Sequence, residues 1–429
     1  MSKKIVIVGA GYTGTLVAKN LAKKFPDPKS AEVTLIDRHP FHTMMTELHE
    51  VAAARVEEDS IRVDLNEIFK NKNVNFVVDE IASIDFQEQI VKTEKGQYSY
   101  DYLTIATGSK PTYYGVKGAE EHCKALWSYE DANELRSHIE MIFELARKEA
   151  DDAEREKLLT FCVVGAGFTG VEMAGELAEW IPSLCLKNNI SQKEVRIIEC
   201  DLLDRVVPTL PEELSEKVKG RLTSMGVEIL LKTNVLEVGY DFLVVQMPDK
   251  EVEIPTKTVI WTAGIEGSEL VEELAEYFPV AGRLRVAANE YLQAKDMEGI
   301  YVGGDNLFRE YNNVPVAQVV ENAEQTADVI ANNIYVDVTG RGDYHAYQPA
   351  FHGVMVCVGG RYGVANVGLP NKMFQLSSLP AMSAKHFMNV FYLTKVAGVK
   401  RACEYLKHEF LRVPDKRHFL APRFKQPWQ

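Results

Sequence analysis

The chain has 429 residues, room for two or three domains, and 46% hydrophobic content ordinary for a globular protein. Its net charge of -14, with no recognised nucleic-acid motif, argues against nucleic acid as a partner. Six scattered cysteines without Cys-x-x-Cys spacing indicate no zinc, no iron–sulfur cluster and no disulfide framework, and they suit a reducing compartment.

Met1-Ser-Lys-Lys4 before an apolar run superficially resembles a signal peptide, but Ile5-Val-Ile-Val8 belongs to a different pattern. It is a β-branched strand leading into Gly9-Ala-Gly11-Tyr-Thr-Gly14 and then an alanine-rich helical stretch. In that context Gly-x-Gly-x-x-Gly is a dinucleotide fingerprint. The first glycine permits the tight turn, the second lets backbone N–H groups approach a pyrophosphate, and the third lets helix pack on strand. The next strand, Val33-Thr-Leu-Ile36, ends at Asp37, 23 residues beyond Gly14, where a carboxylate accepts from a ribose 2′-OH. Val74–Val78 and Gln89–Thr93 read as strands of a small antiparallel meander, and Tyr102–Ile105 is an apolar strand closing on Ala106-Thr107-Gly108.

The pattern then recurs. Phe161-Cys-Val-Val164 leads into Gly165-Ala-Gly167-Phe-Thr-Gly170, 156 positions after the first loop. Val195-Arg-Ile-Ile198 ends at Glu199, 29 residues beyond Gly170, which would repel a 2′-phosphate and so favours NADH over NADPH. Val227–Leu231 and Phe242–Gln246 repeat the meander pattern. Thr258–Gly264 ends in a small-residue turn, and Gly108 and Gly264 each lie 99 residues after their first glycine. The spacing indicates a duplicated domain, and two dinucleotides in one chain imply electron transfer between them.

Downstream, Gly299-Ile-Tyr-Val-Gly-Gly-Asp305 forms another strand, and Asn313–Val320 leads into a helix with Pro315 in its first turn. Free N–H groups at such a helix start stabilise negative charge, including that on a reduced flavin. Residues 383–429 hold ten Lys or Arg against three acids, interleaved with Phe387, Met388, Phe391 and Tyr392. On the residues alone this segment fits either a helix lying in an anionic membrane interface or a helix capping the core or a dimer contact. No run of about 18 apolar residues marks a transmembrane helix.

Together these pieces resemble the type II NADH dehydrogenases, single-subunit, non-pumping NADH:quinone oxidoreductases with two dinucleotide-binding domains. The likeness runs end to end through both fingerprints, Asp37–Ala53, Ala106–Ser109, Trp261–Gly264, Gly303–Asp305 and Gly353–Gly360. It implies an α/β fold of two Rossmann-like domains, each with an inserted β-meander, plus a basic C-terminal membrane-associating segment. Its divisions are residues 1–120 and 289–382 for FAD, 121–288 for NADH, and 383–429 for the membrane.

The resemblance further implies that Gly9, Gly11, Gly14 and Asp37 hold the ADP half of FAD, with Thr46 and Glu47 near the flavin. Asp305 would bind the ribityl chain, and the backbone at Ala317 and Gln318 would meet the ring. Thr107 and Gly108 join the FAD set. Gly165, Gly167, Gly170, Glu199 and Gly264 form the NADH set. Glu172 matches a family glutamate near nicotinamide and flavin, a candidate proton source along with ordered water; its alternative is a first-turn carboxylate offsetting the helix dipole. The family's quinone motif, Ala-Gln-x-Ala-x-Gln-x-Gly, reads here Ala317-Gln318-Val-Val320-Glu-Asn322-Ala-Glu324. Gln318 is kept, Asn322 is one methylene shorter than Gln, and Glu324 replaces glycine.

The expected activity is therefore hydride transfer from NADH to FAD and two electrons onward to a membrane quinone of menaquinone type. The expected place is peripheral, on the cytoplasmic side of the cell membrane, and homodimers are common in the family. A non-quinone acceptor fits the altered motif, as does a protein that binds FAD and NADH without turnover. A sulfide:quinone oxidoreductase needs two cysteines at the flavin, and Cys162 and Cys357 are the tempting pair. Residues 37–53 contain no cysteine, which sets aside disulfide reductases.

Overall fold

The computed structural model describes residues 2–369 and 372–411. Two five-stranded parallel sheets form its frame. In the first, the order is Ile300–Val302, Tyr102–Ile105, Lys3–Val8, Ala31–Asp37 and Asn75–Val78. In the second it is Lys124–Ala125, Thr258–Trp261, Thr160–Val164, Arg196–Cys200 and Val227–Leu230. Four strands of each sheet correspond one to one, as the duplication requires. The fifth differs: Ile300–Val302 returns to the first sheet from beyond the second repeat. Thr160–Val164 is buried at every position, the pattern of a parallel strand covered on both faces.

Two strand expectations are corrected. Asn75–Val78 and Val227–Leu230 are parallel edge strands, not meander strands. Each follows a helical connection, and such crossovers return the chain parallel, whereas antiparallel pairing takes tight turns. The antiparallel inserts are Ile81–Asp85, Ile90–Thr93 and Gln97–Ser99 in one half, and Asn234–Val238, Phe242–Gln246 and Glu251–Pro255 in the other.

Helix α1 (Tyr12–Lys24) follows the first glycine loop, and α2 (Leu48–Ala52) is a short helix beyond Asp37. The second loop opens α3 (Phe168–Asn188). Helix α4 spans Val320–Thr339 and ends at Gly340 in the left-handed conformation. It therefore starts five residues after Pro315, which instead pairs with Glu310 in a small hairpin. An antiparallel sheet of Gly353–Cys357, Gly363–Leu369 and Lys372–Ser377 precedes α5 (Leu379–Ala397) and α6 (Val399–Leu411). The basic segment expected over 383–429 is thus helical through residue 411, and residues 412–429 lie outside the described part. Among the described residues no helix is long and apolar enough to cross a membrane.

Candidate functional site

Both glycine loops are shaped by close approach. Gly9 has φ +93°, and an added Cβ would lie 2.4 Å from Ala106 O; Gly165 has φ +102°, and its Cβ would lie 2.7 Å from Ala263 Cα. A Cβ on Gly14 would sit 1.8 Å from Gly9 O, and one on Gly170 would sit 1.7 Å from Gly165 O. These four positions admit glycine alone. Gly11 and Gly167 differ: nothing lies within 4 Å of their added Cβ atoms. They cap α1 and α3 with no side chain on the helix N–H groups. Each loop is an open cradle at a positive helix end, fitted to a pyrophosphate.

The strand-end acids reveal one misplacement. Asp37 Oδ2 accepts from Ala10 N at 2.6 Å, and Oδ1 accepts from His39 N at 2.8 Å. In the second half the same two contacts are made by Asp201, whose Oδ2 accepts from Ala166 N at 2.6 Å and Oδ1 from Leu203 N at 2.7 Å. Register agrees, since Gly9 N donates to Ile36 O and Gly165 N to Cys200 O. The counterpart of Asp37 in the second half is therefore Asp201, not Glu199. Glu199 sits within the strand, fully buried, with neither carboxylate oxygen bonded among the described residues. Burial, with Asp201 adding to it, pushes its pKa up to about 8, so it is neutral at pH 7. An acid at this strand end still disfavours a 2′-phosphate.

Between the halves, Thr107, Gly108 and Asp305 converge. Asp305 Oδ2 accepts from Ser109 Oγ at 2.7 Å. Asn306, fully buried, accepts from Gly108 N at 2.8 Å and donates to Gly108 O at 2.6 Å. Thr107 Oγ1 meets Ser268 Oγ at 2.6 Å. Gln318 Nε2 donates to Asp305 O at 3.2 Å, which ties the start of α4 to the same turn. The Cβ of any other residue at Gly264 (φ +156°) would strike the Tyr114 hydroxyl.

Glu172, in the second turn of α3 and so beyond the first turn where a carboxylate would offset the helix dipole, reaches across to the first half. Its Oε1 accepts from Cys357 N at 3.1 Å, and its Oε2 lies 3.6 Å from His49 Nδ1. Burial raises it to about 8, against the pull of Lys385. Glu47 is fully buried and raised to about 7, first by burial. Its Oε1 accepts from Asn389 Nδ2 at 2.9 Å, and its Oε2 lies 3.1 Å from Lys385 Nζ. Lys385 also donates to Glu50 at 2.9 Å. Burial alone would raise Glu50, but Lys385 and Arg55 hold it well below its ordinary value. Glu47, Glu50 and Glu409 lie close enough for a shared ion, yet Lys385 and Arg55 already supply the countercharge.

Residues 3–324 match the pyridine nucleotide-disulphide oxidoreductase family. Over 369 residues the chain is 30% identical to the type II NADH:quinone oxidoreductase of Staphylococcus aureus strain NCTC 8325, covering 85% of this chain and 90% of that protein. The chain belongs to the type II NADH:quinone oxidoreductase family. NDH2 from Plasmodium falciparum in complex with NADH shares the fold at a TM-score of 0.85 and 17% identity, covering 96% of this chain and 99% of that one. The sulfide:quinone oxidoreductase of Aquifex aeolicus follows at 0.75 and 19%, with 96% of each chain covered.

Against the family's quinone motif, Asn322 spends its amide internally. Its Nδ2 donates to Ala317 O at 2.9 Å, and its Oδ1 accepts from Tyr347 Oη at 3.1 Å. That leaves one amide hydrogen for an acceptor. Ala317 is exposed at the mouth of α4. Thr46, also exposed, is hydrogen-bonded to Tyr12 of the first glycine loop. Cys162 packs in the core of the second half with Cys200 and Trp261, whereas Cys357 belongs to the strand that bonds Glu172. The two tempting cysteines thus lie in different surroundings.

Sequence reasoning missed His42, His49, Arg55, Asn306 and the whole inward face of α5. Their signal is tertiary: each is a polar residue in an apolar neighbourhood, legible only once its partner is known.

Proposed function

We infer that this protein oxidises NADH through bound FAD and delivers two electrons to a quinone at a membrane surface, without pumping protons. The carrying observation is a pair of equivalent nucleotide cradles in one chain, joined where Glu172 of α3 reaches His49 of the first half. FAD, when bound, supplies the two-electron relay between hydride donor and acceptor.

The chain's own residues position and charge the site. Gly9, Gly11, Gly14 and Asp37 hold the ADP half of FAD, and Asp305, fixed by Ser109, meets its ribityl chain. Gly165, Gly167, Gly170 and Asp201 hold NADH. With a pKa of about 8, Glu172 keeps its proton at pH 7 and offers it to the reduced acceptor.

Membrane contact is supported by the reversed amphipathicity of α5. Its polar residues Lys385, Asn389 and Tyr392 point inward to Glu47, Glu50 and His42. Its outward side exposes Phe387, Met388 and Phe391. An exposed apolar face backed by a buried polar one suits a lipid interface better than water. Exposed Lys400 and Lys407, with the Lys and Arg residues that follow in the sequence, favour an anionic surface, and we place that surface on the cytoplasmic side.

The test is anaerobic titration of purified protein. It should be yellow, release FAD on denaturation, and bleach with one equivalent of NADH. Bleaching by sulfide instead would transfer the reading to the sulfide oxidoreductases. No bleaching by either would leave a binding protein.

A further inference from the structure

The inward face of α5 is pinned at two places of unequal burial. Lys385, at its start, is buried against Glu47 and Glu50. Lys395, near its end, pairs with Glu324 of α4 at 3.0 Å, and their side chains remain 33% and 22% exposed. Glu324 stands in the second turn of α4 where the resembling motif has glycine. A residue without a side chain there would leave the seam between α4 and α5 open; here an ion pair spans it.

What lies behind the pair is aromatic. Tyr12 of the glycine loop and Tyr392 of α5 pack with ring centroids 4.9 Å apart, and His42 packs edge-on to Tyr12 at 4.9 Å. His42 Nδ1 donates to Ala10 O, a carbonyl that only accepts, so its Nε2 accepts from the Tyr392 hydroxyl at 2.9 Å. Glu324 carries its charge within reach of both tyrosines and raises the pKa of each, after burial. Phe391, one turn before Lys395 on α5, is 58% exposed. The ion pair thus stands beside the Tyr12–Tyr392 aromatic contact, and Tyr12 in turn is hydrogen-bonded to Thr46 of the FAD cradle.

We propose that the Glu324–Lys395 pair is the specificity-determining gate on the acceptor path, and that it discriminates quinones by their isoprenoid tail. The proposal rests on the quinone reading above. A ring without a tail passes the seam and lets the pair close behind it, so the bound state carries no cost. A long tail stays in the seam while the ring is bound and holds the pair apart throughout. The gate thus enters the KM of tailed quinones and not that of tail-less ones.

The experiment uses the full chain loaded with FAD and measures KM for a tail-less naphthoquinone and for a long-tailed menaquinone in the same detergent. Glu324→Gly and Lys395→Met should each lower the ratio of long-tailed to tail-less KM by about fivefold, the ceiling for one partly exposed ion pair. The charge-swapped double variant, Glu324→Lys with Lys395→Glu, should restore the ratio. FAD content reports folding in each case, and either single variant suffices if the other fails to fold. Ratios unmoved in the single variants, or shifted alike for both quinones, overturn the gate while leaving the quinone reading intact. If neither quinone reoxidises the wild-type flavin, the reading and the gate fall together.

Discussion

Asp201 and Glu199 show how far a single position can be read. The run Val195–Ile198 ends on an acid, which makes Glu199 look like the strand terminus. The strand in fact continues through Cys200, and the carboxylate that meets the glycine loop is two residues later. Nothing local marks Glu199 as buried, because an uncharged carboxylic acid in a core is invisible to hydrophobic patterning. The two acids therefore separate by mutation. Asp201→Ala should raise the KM for NADH about tenfold or more through loss of charge-assisted ribose bonds. Glu199→Gln should leave it within about twofold, since its side chain is two positions from the cradle.

Glu199 also makes a pH prediction. Its folded pKa, about 8, lies above its ordinary value of 4.5, so the folded state holds the proton more tightly. Its contribution to stability is complete below about 4.5 and is lost as pH rises through about 8. The melting temperature of Glu199→Gln should gain on the parent across that window. A constant difference from pH 5 to pH 9 would show that the folded pKa of Glu199 is not raised above its ordinary value.

At the scale of elements, the strands and loop helices were legible because each obeys a local rule: β-branched runs, glycines at fixed offsets, an acid at the strand end. The clamp that joins the elements was not. Arg55 follows α2, pairs with Glu176 of α3 at 3.1 Å and with Glu409 of α6 at 3.6 Å, and donates to Gly360 O at 3.3 Å. A Cβ on Gly360 would fall on the guanidinium itself. Gly360→Ala should therefore destabilise the protein by about 1–3 kcal/mol, read by chemical denaturation, through overpacking of a buried ion pair.

Helix α5 makes the second element-scale prediction. Its outward aromatics make few contacts that the fold needs, so Phe387→Ser with Phe391→Ser should fold normally and retain FAD. Vesicle affinity should drop at least about a hundredfold, from about 1.5–3 kcal/mol for each of the two rings kept in water. Unchanged flotation with anionic vesicles would move the membrane contact elsewhere. The sequence left this segment open between membrane and core because its inward and outward residues interleave. Lys385 and Tyr392 lie on one face of the helix and Phe387 and Phe391 on the other, and only the burial of the first pair separates them.

Across the whole molecule, the duplication stated by two glycine loops becomes two equivalent sheets with one ionisable seam between them. Glu172 lies on that seam, raised by burial to about 8. It is protonated below that value, so acceptor reduction that draws on its proton should slow as pH rises past about 8. Glu172→Gln should be slow and flat with pH. The donor side was legible from sequence because phosphate and ribose impose fixed geometry on a local motif. The proposed acceptor side was not, because α4, α5 and Tyr12, which would form it, come from three distant parts of the chain.

The most direct test of electron transfer from NADH to quinone is a double-mixing stopped-flow experiment on the FAD-loaded protein. Anaerobic NADH is added first, and a menaquinone analogue follows once the flavin has bleached. The account predicts fast bleaching, then full return of the flavin absorbance with one quinone reduced per flavin. Bleaching with no return under menaquinone, ubiquinone or tail-less analogues, while ferricyanide restores the colour, would contradict it.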